Sequence, residues 1–377
     1  MKLAIVGGGA SGLMLASILR KNNVDIDIVI LEKLEHVGKK ILLSGNGKCN
    51  LSNANINSCC YNNEFAFKVA SSFDVKSYFN ELGLLTYQDA EGRIYPISNV
   101  ANSVLDTLRN SLENVEIKTN YNVTRITKKD NKFTIFNDKF NSLEADYVVI
   151  ATGGKTYYKE NNSYMICSML SHRITPLRPT LTSLKVKENL ASIENLRAKV
   201  KAKLLCNEQV IYEDSGEVLF KKDALSGIVI FQLSSQVAKD TYKKYVIELD
   251  LIPSMDEDCL IQYLSKHPNM TGLFAKMINQ YVLKVSPSKE AKDIAHTIKH
   301  LRFNVLENLE FKNAQVTAGG INISEVKDTM ESKYHSNLYF LGELLDVDGI
   351  CGGYNLHFAF ASAYVAALDI INKESGK

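Results

Sequence analysis

Leu3–Val6 is a short apolar run, and the residues after it carry apolar side chains at helical spacing from Ala10 to Arg20. A second apolar run, Ile26–Leu31, follows. Run, helix and run in this order predict a βαβ unit with parallel strands. Residues 64–82 have a helical pattern, whereas 115–150 read as strands at Val115–Lys118, Asn122–Lys128, Lys132–Phe136 and Ala145–Ile150. From about Pro179 the texture changes to short strand candidates: Ser183–Val186, Ala198–Leu205, Gln209–Glu213, Glu217–Phe220 and Tyr245–Leu251. Such a set predicts a small barrel or sandwich. Residues 256–309 turn helical, with Asp256, Glu257 and Asp258 where acids favour a helix start, and with helical spacing over 259–264, 272–285 and 290–301. Strand and glycine return at 315–321, QVTAGGI, and a strand at 337–341 leads into a long apolar helix from Tyr354 or Asn355 to Ile371.

This order implies an α/β chain built on a Rossmann-like domain interrupted by an insertion. The expected boundaries are 1–178 for its first part, 179–312 for the insertion (barrel 179–253, helical 254–312) and 313–377 for its C-terminal part. A length of 377 residues with 45% hydrophobic content is enough for two or three cores. The net charge of +2 offers no electrostatic case for nucleic acid. No apolar run is expected to cross a bilayer, and Leu3–Gly12 reads as fold rather than leader. Seven cysteines without a C-x-x-C support neither a disulfide framework nor a zinc ribbon, which points to a reducing cytoplasm.

The candidate chemistry begins where the first strand ends. Gly7, Gly9 and Gly12 stand at G-x-G-x-x-G spacing, with Ala10 and Ser11 inside the motif. There a strand, a tight turn and a helix N-terminus surround a pyrophosphate. Glu32 lies 20 residues after Gly12, where an acid accepts hydrogen bonds from the adenosine ribose. The bland alternative is a glycine turn that only packs helix on strand. A second glycine-rich segment near the other end, GELLDVDGICGGYN at 342–355, opens the last helix. NAD needs only the first site. FAD is longer and uses both: phosphates at the first loop, ribityl hydroxyls at an acid, and a helix N-terminus where a reduced flavin carries negative charge.

The GGGASG start, the SGNGKCNLSN loop at 44–53, the ATGG turn at 151–154, VTAGGI and the closing GELLDVDGICGGYNLHFAFASA resemble the YhiN-like bacterial flavoproteins. These are also described as the aminoacetone oxidase or BaiN/RdsA family of NAD(P)/FAD-dependent oxidoreductases. The resemblance runs from residue 1 to about 370. It implies bound FAD, a two-dinucleotide-binding-domain type of flavoprotein fold and an inserted β-barrel with a helical piece. It also implies roles: Gly7, Gly9, Ala10, Ser11 and Gly12 at the pyrophosphate, and Glu32 and Lys33 at the adenosine ribose. Lys40, Ser44, Gly45, Asn46, Gly47, Cys49 and Asn50 would lie along the cofactor, and Thr152, Gly153 and Gly154 near adenosine and pyrophosphate. Gly342, Glu343 and Asp346 would reach the pyrophosphate or ribityl chain. Gly352, Gly353, Tyr354 and Asn355 would present backbone N–H groups to the pyrimidine end.

Other residues keep two readings. Cys49 and Cys351 either pack or act with the flavin; without a C-x-x-C, packing is favoured. His357, Tyr354 and Lys48 face ligand or serve locally. His296 and His300 are four apart with no third ligand beside them in the sequence, so that face reads as solvated. No second fingerprint for NAD(P)H is visible. The function implied is hydride transfer between flavin N5 and a small organic substrate or NAD(P)H, with O2 as another electron acceptor and no catalytic base identified. The rivals are an NAD-dependent dehydrogenase using the first loop alone and a non-catalytic FAD-binding scaffold.

Overall fold

In the computed structural model, which describes residues 1–156, 162–241, 243–270, 272–306 and 310–376, the apolar runs become the strands of a five-stranded parallel sheet. Its order from one edge is Leu338–Phe340, Tyr147–Ile150, Lys2–Val6, Asp27–Leu31 and Val115–Lys118. The inner strands are buried on both faces, which is why they read as unbroken apolar runs rather than alternating ones. The N-terminal helix Ala10–Lys21 and the C-terminal helix Tyr354–Ser375 pack on each other beside this sheet. The ladder continues one residue past each strand: the Ala151 N–H donates to Val6 O at 2.8 Å, and Leu341 N–H to Ile150 O at 3.0 Å. The turns after three neighbouring strands therefore leave the sheet side by side, at the carboxyl ends where α/β sheets bind ligands.

The chain separates into two units, Met1–Leu177 with Val316–Lys377, and Arg178–Gln315. In the second, six antiparallel strands follow the order Leu184–Lys185, Ala224–Ser226, Gln209–Lys221, Arg197–Cys206, Tyr245–Asp250 and Leu301–Asn304. The two edge strands meet through a Val186–Val305 bridge, with Lys187 N–H donating to Asn304 O at 2.9 Å and Leu306 N–H to Lys185 O at 2.8 Å. The sheet is thus curled onto itself around Val200, Ala202, Leu204, Val218 and Phe220. Helices Glu257–Lys266, Lys276–Val285 and Ala291–Lys299 accompany it. Asp256 caps the first of them by accepting the Cys259 N–H at 2.7 Å.

Several elements differ from the sequence expectation. The helix expected over 64–82 is two helices, Glu64–Ala70 and Val75–Glu81. Each has its own cap, Asn63 accepting from Ala66 N–H at 2.9 Å and Asp74 from Ser77 N–H at 3.0 Å. The strand expected at 145–150 divides at Asp146, whose carboxylate accepts the Lys2 N–H at 2.9 Å. Ser142–Ala145 joins an antiparallel three-stranded sheet, and Tyr147–Ile150 joins the parallel one. The candidates at 209–213 and 217–220 are one strand. Helix Ile228–Lys239 and the strands at 224–226 and 301–304 were not anticipated. The expectation that no apolar run is long enough to cross a bilayer needs correction, because Tyr354–Ser375 is long and apolar enough by length and composition. It is a core helix in this fold: Phe358, Phe360, Ala363, Ala367 and Ile370 are buried against the rest of the unit.

Asp74→Ala removes the cap that starts the second of the two short helices and is expected to cost about 1 kcal/mol. A urea titration followed by far-UV circular dichroism checks this as a lowered midpoint with unchanged slope.

Candidate functional site

The first turn is tied down by Glu32. Its Oε2 accepts the Gly8 N–H at 2.8 Å and its Oε1 accepts the Leu34 N–H at 2.9 Å. A carboxylate has about four acceptor positions, so two remain for hydroxyl groups. The glycines of this turn have different reasons. A Cβ at Gly12 would overlap the carbonyl oxygen of Gly7, so the close packing of helix on strand excludes one. Gly9 has φ −87° and ψ −165°, which any residue adopts, and its Cβ would meet nothing closer than Ala151 O at 3.9 Å. The protein does not require glycine at 9. A ligand approaching the backbone there would require it.

Beside this turn, Thr152 Oγ1 is buried and has no partner among the described residues, and so is Asn50 Oδ1. Buried polar atoms without a partner are uncommon in folded chains. Gly153 is half-buried and Gly154 buried in the same turn. Across from it Lys40 Nζ contacts Glu343 Oε2 at 2.7 Å and Thr156 Oγ1 at 3.0 Å, while Glu343 Oε1 accepts the Thr317 N–H at 2.8 Å. The Gly342 N–H donates to Ser362 Oγ at 3.0 Å, which fastens this turn to the C-terminal helix. Asp346 is half-buried, and its own N–H donates to Ile321 O at 2.9 Å.

The second helix start rests on the segment at 50–53. Gly353 has φ +102°, and a Cβ there would lie 2.6 Å from Ser52 O and 2.7 Å from Asn50 Oδ1. Gly352 O accepts from Asn53 Nδ2 at 3.0 Å. The Asn355 side chain clamps the loop from within, accepting the Gly349 N–H and donating to Gly349 O, both at 2.8 Å. Both helices therefore begin at glycine without a side-chain cap, and their first amides remain for another acceptor.

Over residues 1–369 the chain matches the HI0933-like protein Rossmann domain family. The chain belongs to this family. It is 35% identical to the 3-dehydro-bile acid delta(4,6)-reductase of Clostridium scindens, covering 97% of this chain and 98% of that one. It is 25% identical to the ribosomal RNA dihydrouridine synthase of Escherichia coli K12, covering 98% of each. Among solved structures it is similar to 3-ketosteroid delta1-dehydrogenase from Sterolibacterium denitrificans, with a TM-score of 0.52, 11% identity and coverage of 100% of this chain and 99% of that one. The likeness to the dehydrogenase is one of fold. The open face at Gly9, the unpartnered Thr152 and Asn50 oxygens and the two uncapped helix starts fit a long polar ligand such as a dinucleotide.

The residues with two readings fall as follows in this HI0933-like protein. Cys49 is fully enclosed, and burial pushes its thiol up to about 12 despite a hydrogen bond with Ser44. Cys351 is pushed up to about 11, again by burial, with Arg93 opposing. Burial of both thiols accords with a packing role. Lys48, Gly45, Asn46 and Gly47 are exposed, and Ser44 and Lys33 half-buried. Tyr354 is buried edge-on to Tyr61, 6.2 Å between ring centroids, and burial raises its phenol. His357 is enclosed: Nδ1 faces Ser52 Oγ at 2.7 Å and Nε2 faces Ala70 O at 2.8 Å. Since a carbonyl only accepts, Nε2 carries the proton and Nδ1 accepts from Ser52. Thr156, Thr317 and Ser362 were missed. Thr317 sits in the VTAGGI run, whose chemistry is visible only once Glu343 is seen beside it.

Gly9→Val is expected to keep the fold while FAD occupancy drops sharply, whereas Gly12→Val lowers the melting temperature itself; bound-flavin absorbance and thermal denaturation on the same samples separate the two. Burial holds the His357 imidazole below its ordinary value of about 6.5. Its contribution to stability is complete above that value and is lost as pH falls below it, because the unfolded chain then binds the extra proton. Melting temperatures from pH 7 to 5 are expected to fall, and less steeply in His357→Gln.

Proposed function

We propose that this HI0933-like protein uses NAD(P)H to reduce a carbon–carbon double bond conjugated to a carbonyl in a small organic substrate. The observation that carries the cofactor half of this reading is Gly9, a glycine whose absent side chain leaves open a face the chain itself does not fill. The names of the two relatives support the substrate half: one reduces delta(4,6) bonds of a 3-dehydro bile acid, and the other makes dihydrouridine. Both reactions saturate a double bond conjugated to a carbonyl. The near-neutral net charge of +2 favours a small molecule over an RNA here.

FAD, when bound, supplies a hydride acceptor and donor at N5. The residues of the chain would bind and orient it. The amides of Gly9, Ala10, Ser11 and Gly12, at the positive end of a helix, would hold the pyrophosphate with Gly7 forming the turn. Glu32 and Lys33 would flank the adenosine ribose. The Thr152 hydroxyl, with Gly153 and Gly154, would meet the nucleotide from the neighbouring turn. Lys40, Ser44, Gly45, Asn46, Gly47, Cys49 and Asn50 would line the course toward the ring, Cys49 by supporting its loop. Glu343, already held by Lys40 and Thr317, would stand with Gly342 and Asp346 near the polyol. Gly352, Gly353, Tyr354 and Asn355 would place amides and a helix dipole at the pyrimidine end, where they favour negative charge. The chemistry balances as one hydride from NAD(P)H and one proton from water added across the double bond. Seven free cysteines support a reducing compartment, the cytoplasm.

The purified protein is expected to show flavin bands at roughly 375 and 450 nm, to bleach anaerobically with NADH or NADPH, and to recover colour on adding a 3-oxo steroid with conjugated double bonds. Recovery with O2 alone would make it an oxidase. Reduction of uridine in ribosomal RNA and of no small enone would replace the reading. Thr152→Val removes a buried hydroxyl that lacks a partner, so the ligand-free protein is expected to be no less stable while FAD affinity falls about tenfold, the worth of one hydrogen bond.

A further inference from the structure

The Arg178–Gln315 unit carries a side-chain cluster that the cofactor site does not use. His296 lies in the last turn of helix Ala291–Lys299, and His300 follows at its end. Their rings stand together, 4.6 Å between centroids. The third group comes from Glu257, the first residue of helix Glu257–Lys266. Glu257 Oε1 is 3.2 Å from His296 Nδ1, and Oε2 is 3.7 Å from His300 Nε2. One ligand atom from each of the three falls within 4.8 Å of the others.

We propose that Glu257, His296 and His300 form a binding site for a divalent transition metal of the zinc class, with water completing the coordination. Around a tetrahedral ion with bonds of about 2.0–2.1 Å, ligand atoms stand about 3.4 Å apart. The two measured separations lie on either side of that value. Two imidazoles and one carboxylate suit Zn2+ and its neighbours rather than Ca2+ or Mg2+, which prefer oxygen donors. Among the described residues no lysine or arginine pairs with Glu257, so its charge faces the imidazoles alone. The side chains of His296 and Glu257 are 66% and 35% exposed, which leaves a path for the ion and room for water.

A second carboxylate orients the site. His300 Nδ1 is 3.2 Å from Glu248 Oε1. Glu248 is buried on strand Tyr245–Asp250 and fixed from its other oxygen by Arg302 Nε at 2.9 Å. With Nδ1 donating to Glu248, the His300 ring is turned so that Nε2 lies on the side of Glu257. This is the outer-shell arrangement that metal-bound imidazoles use. Glu248 is therefore a positioning residue, and the ion would join the start of one helix to the end of another.

Zn2+ titrated into the full-length, FAD-loaded protein by calorimetry is expected to bind with one equivalent. Co2+ is expected to give a visible absorption band, and Zn2+ to raise the melting temperature over that in EDTA. The double variant His296→Ala/His300→Ala should lose all three signals. His296→Ala alone, at an exposed position, should weaken them, with bound-flavin absorbance reporting that the fold is intact. Glu248→Gln should weaken binding by about 10–100-fold and alter the Co2+ band. Absence of binding to the wild-type protein, or equal stoichiometry and affinity in the double variant, as binding through the exposed Cys59 or Cys259 would give, overturns the proposal.

Discussion

Parallel pairing of Lys2–Val6 with Tyr147–Ile150, and of that strand with Leu338–Phe340, is the constraint on which the candidate site depends. Val6 is opposite Ile150, and Ile150 is opposite Phe340. Parallel strands in this register end at the same level. Each then turns through glycine, at Gly7, Gly153 and Gly342, before the chain leaves the sheet. Residues from three distant parts of the sequence are thereby delivered to one edge, and none of them needs a long loop to reach it. An antiparallel partner at any of these places would send its turn to the opposite end.

The acids at that edge are held by the chain's own donors. Glu32 accepts two backbone N–H groups, and Glu343 accepts a backbone N–H from Thr317 and is paired with Lys40. The Lys40 and Glu343 side chains are 25% and 17% exposed, so the pair is partly desolvated and its gain in stability is modest. Its effect is positional: it joins residues 303 apart in sequence and neutralises a carboxylate beside the Gly342 turn. The two uncapped helix starts then supply the positive potential.

Legibility followed the range of the interaction that decides each feature. Leu3–Val6, Ile26–Leu31 and the glycine spacing announce their strands and turn because burial on both faces and a tight turn are local demands. The family match over 1–369 agrees with the motifs at both ends of the chain. Where a distant partner decides, the pattern misled. The apolar stretch through 145–150 gives no sign that Asp146 turns to bind the Lys2 amide and divides it between two sheets. Ile228-Val229-Ile230-Phe231 has the composition of a strand, yet it is helical, started at Gly227 with φ +100° and packed against the long strand Gln209–Lys221. His296 and His300 lacked a third ligand in their own neighbourhood because Glu257 is 39 residues upstream. The Thr317 contact to Glu343 is hidden for the same reason.

The glycines and unpartnered oxygens together separate what the fold needs from what the ligand needs. Gly12 is required whether or not anything is bound, since the helix cannot pack on Gly7 otherwise. Gly9, Thr152 Oγ1 and Asn50 Oδ1 make no sense on those terms. An unsatisfied buried oxygen costs about 1–3 kcal/mol, and a glycine in an ordinary extended conformation adds backbone entropy to the unfolded chain. Asn50 Oδ1 lies beside position 353, where a Cβ would fall 2.7 Å from it. On the proposed reading a bound cofactor would complete these residues, and the stability of the Met1–Leu177 and Val316–Lys377 unit would rise with its occupancy. Loss of FAD and loss of fold are then linked quantities, and a substitution at this edge has to be judged against both states of occupancy.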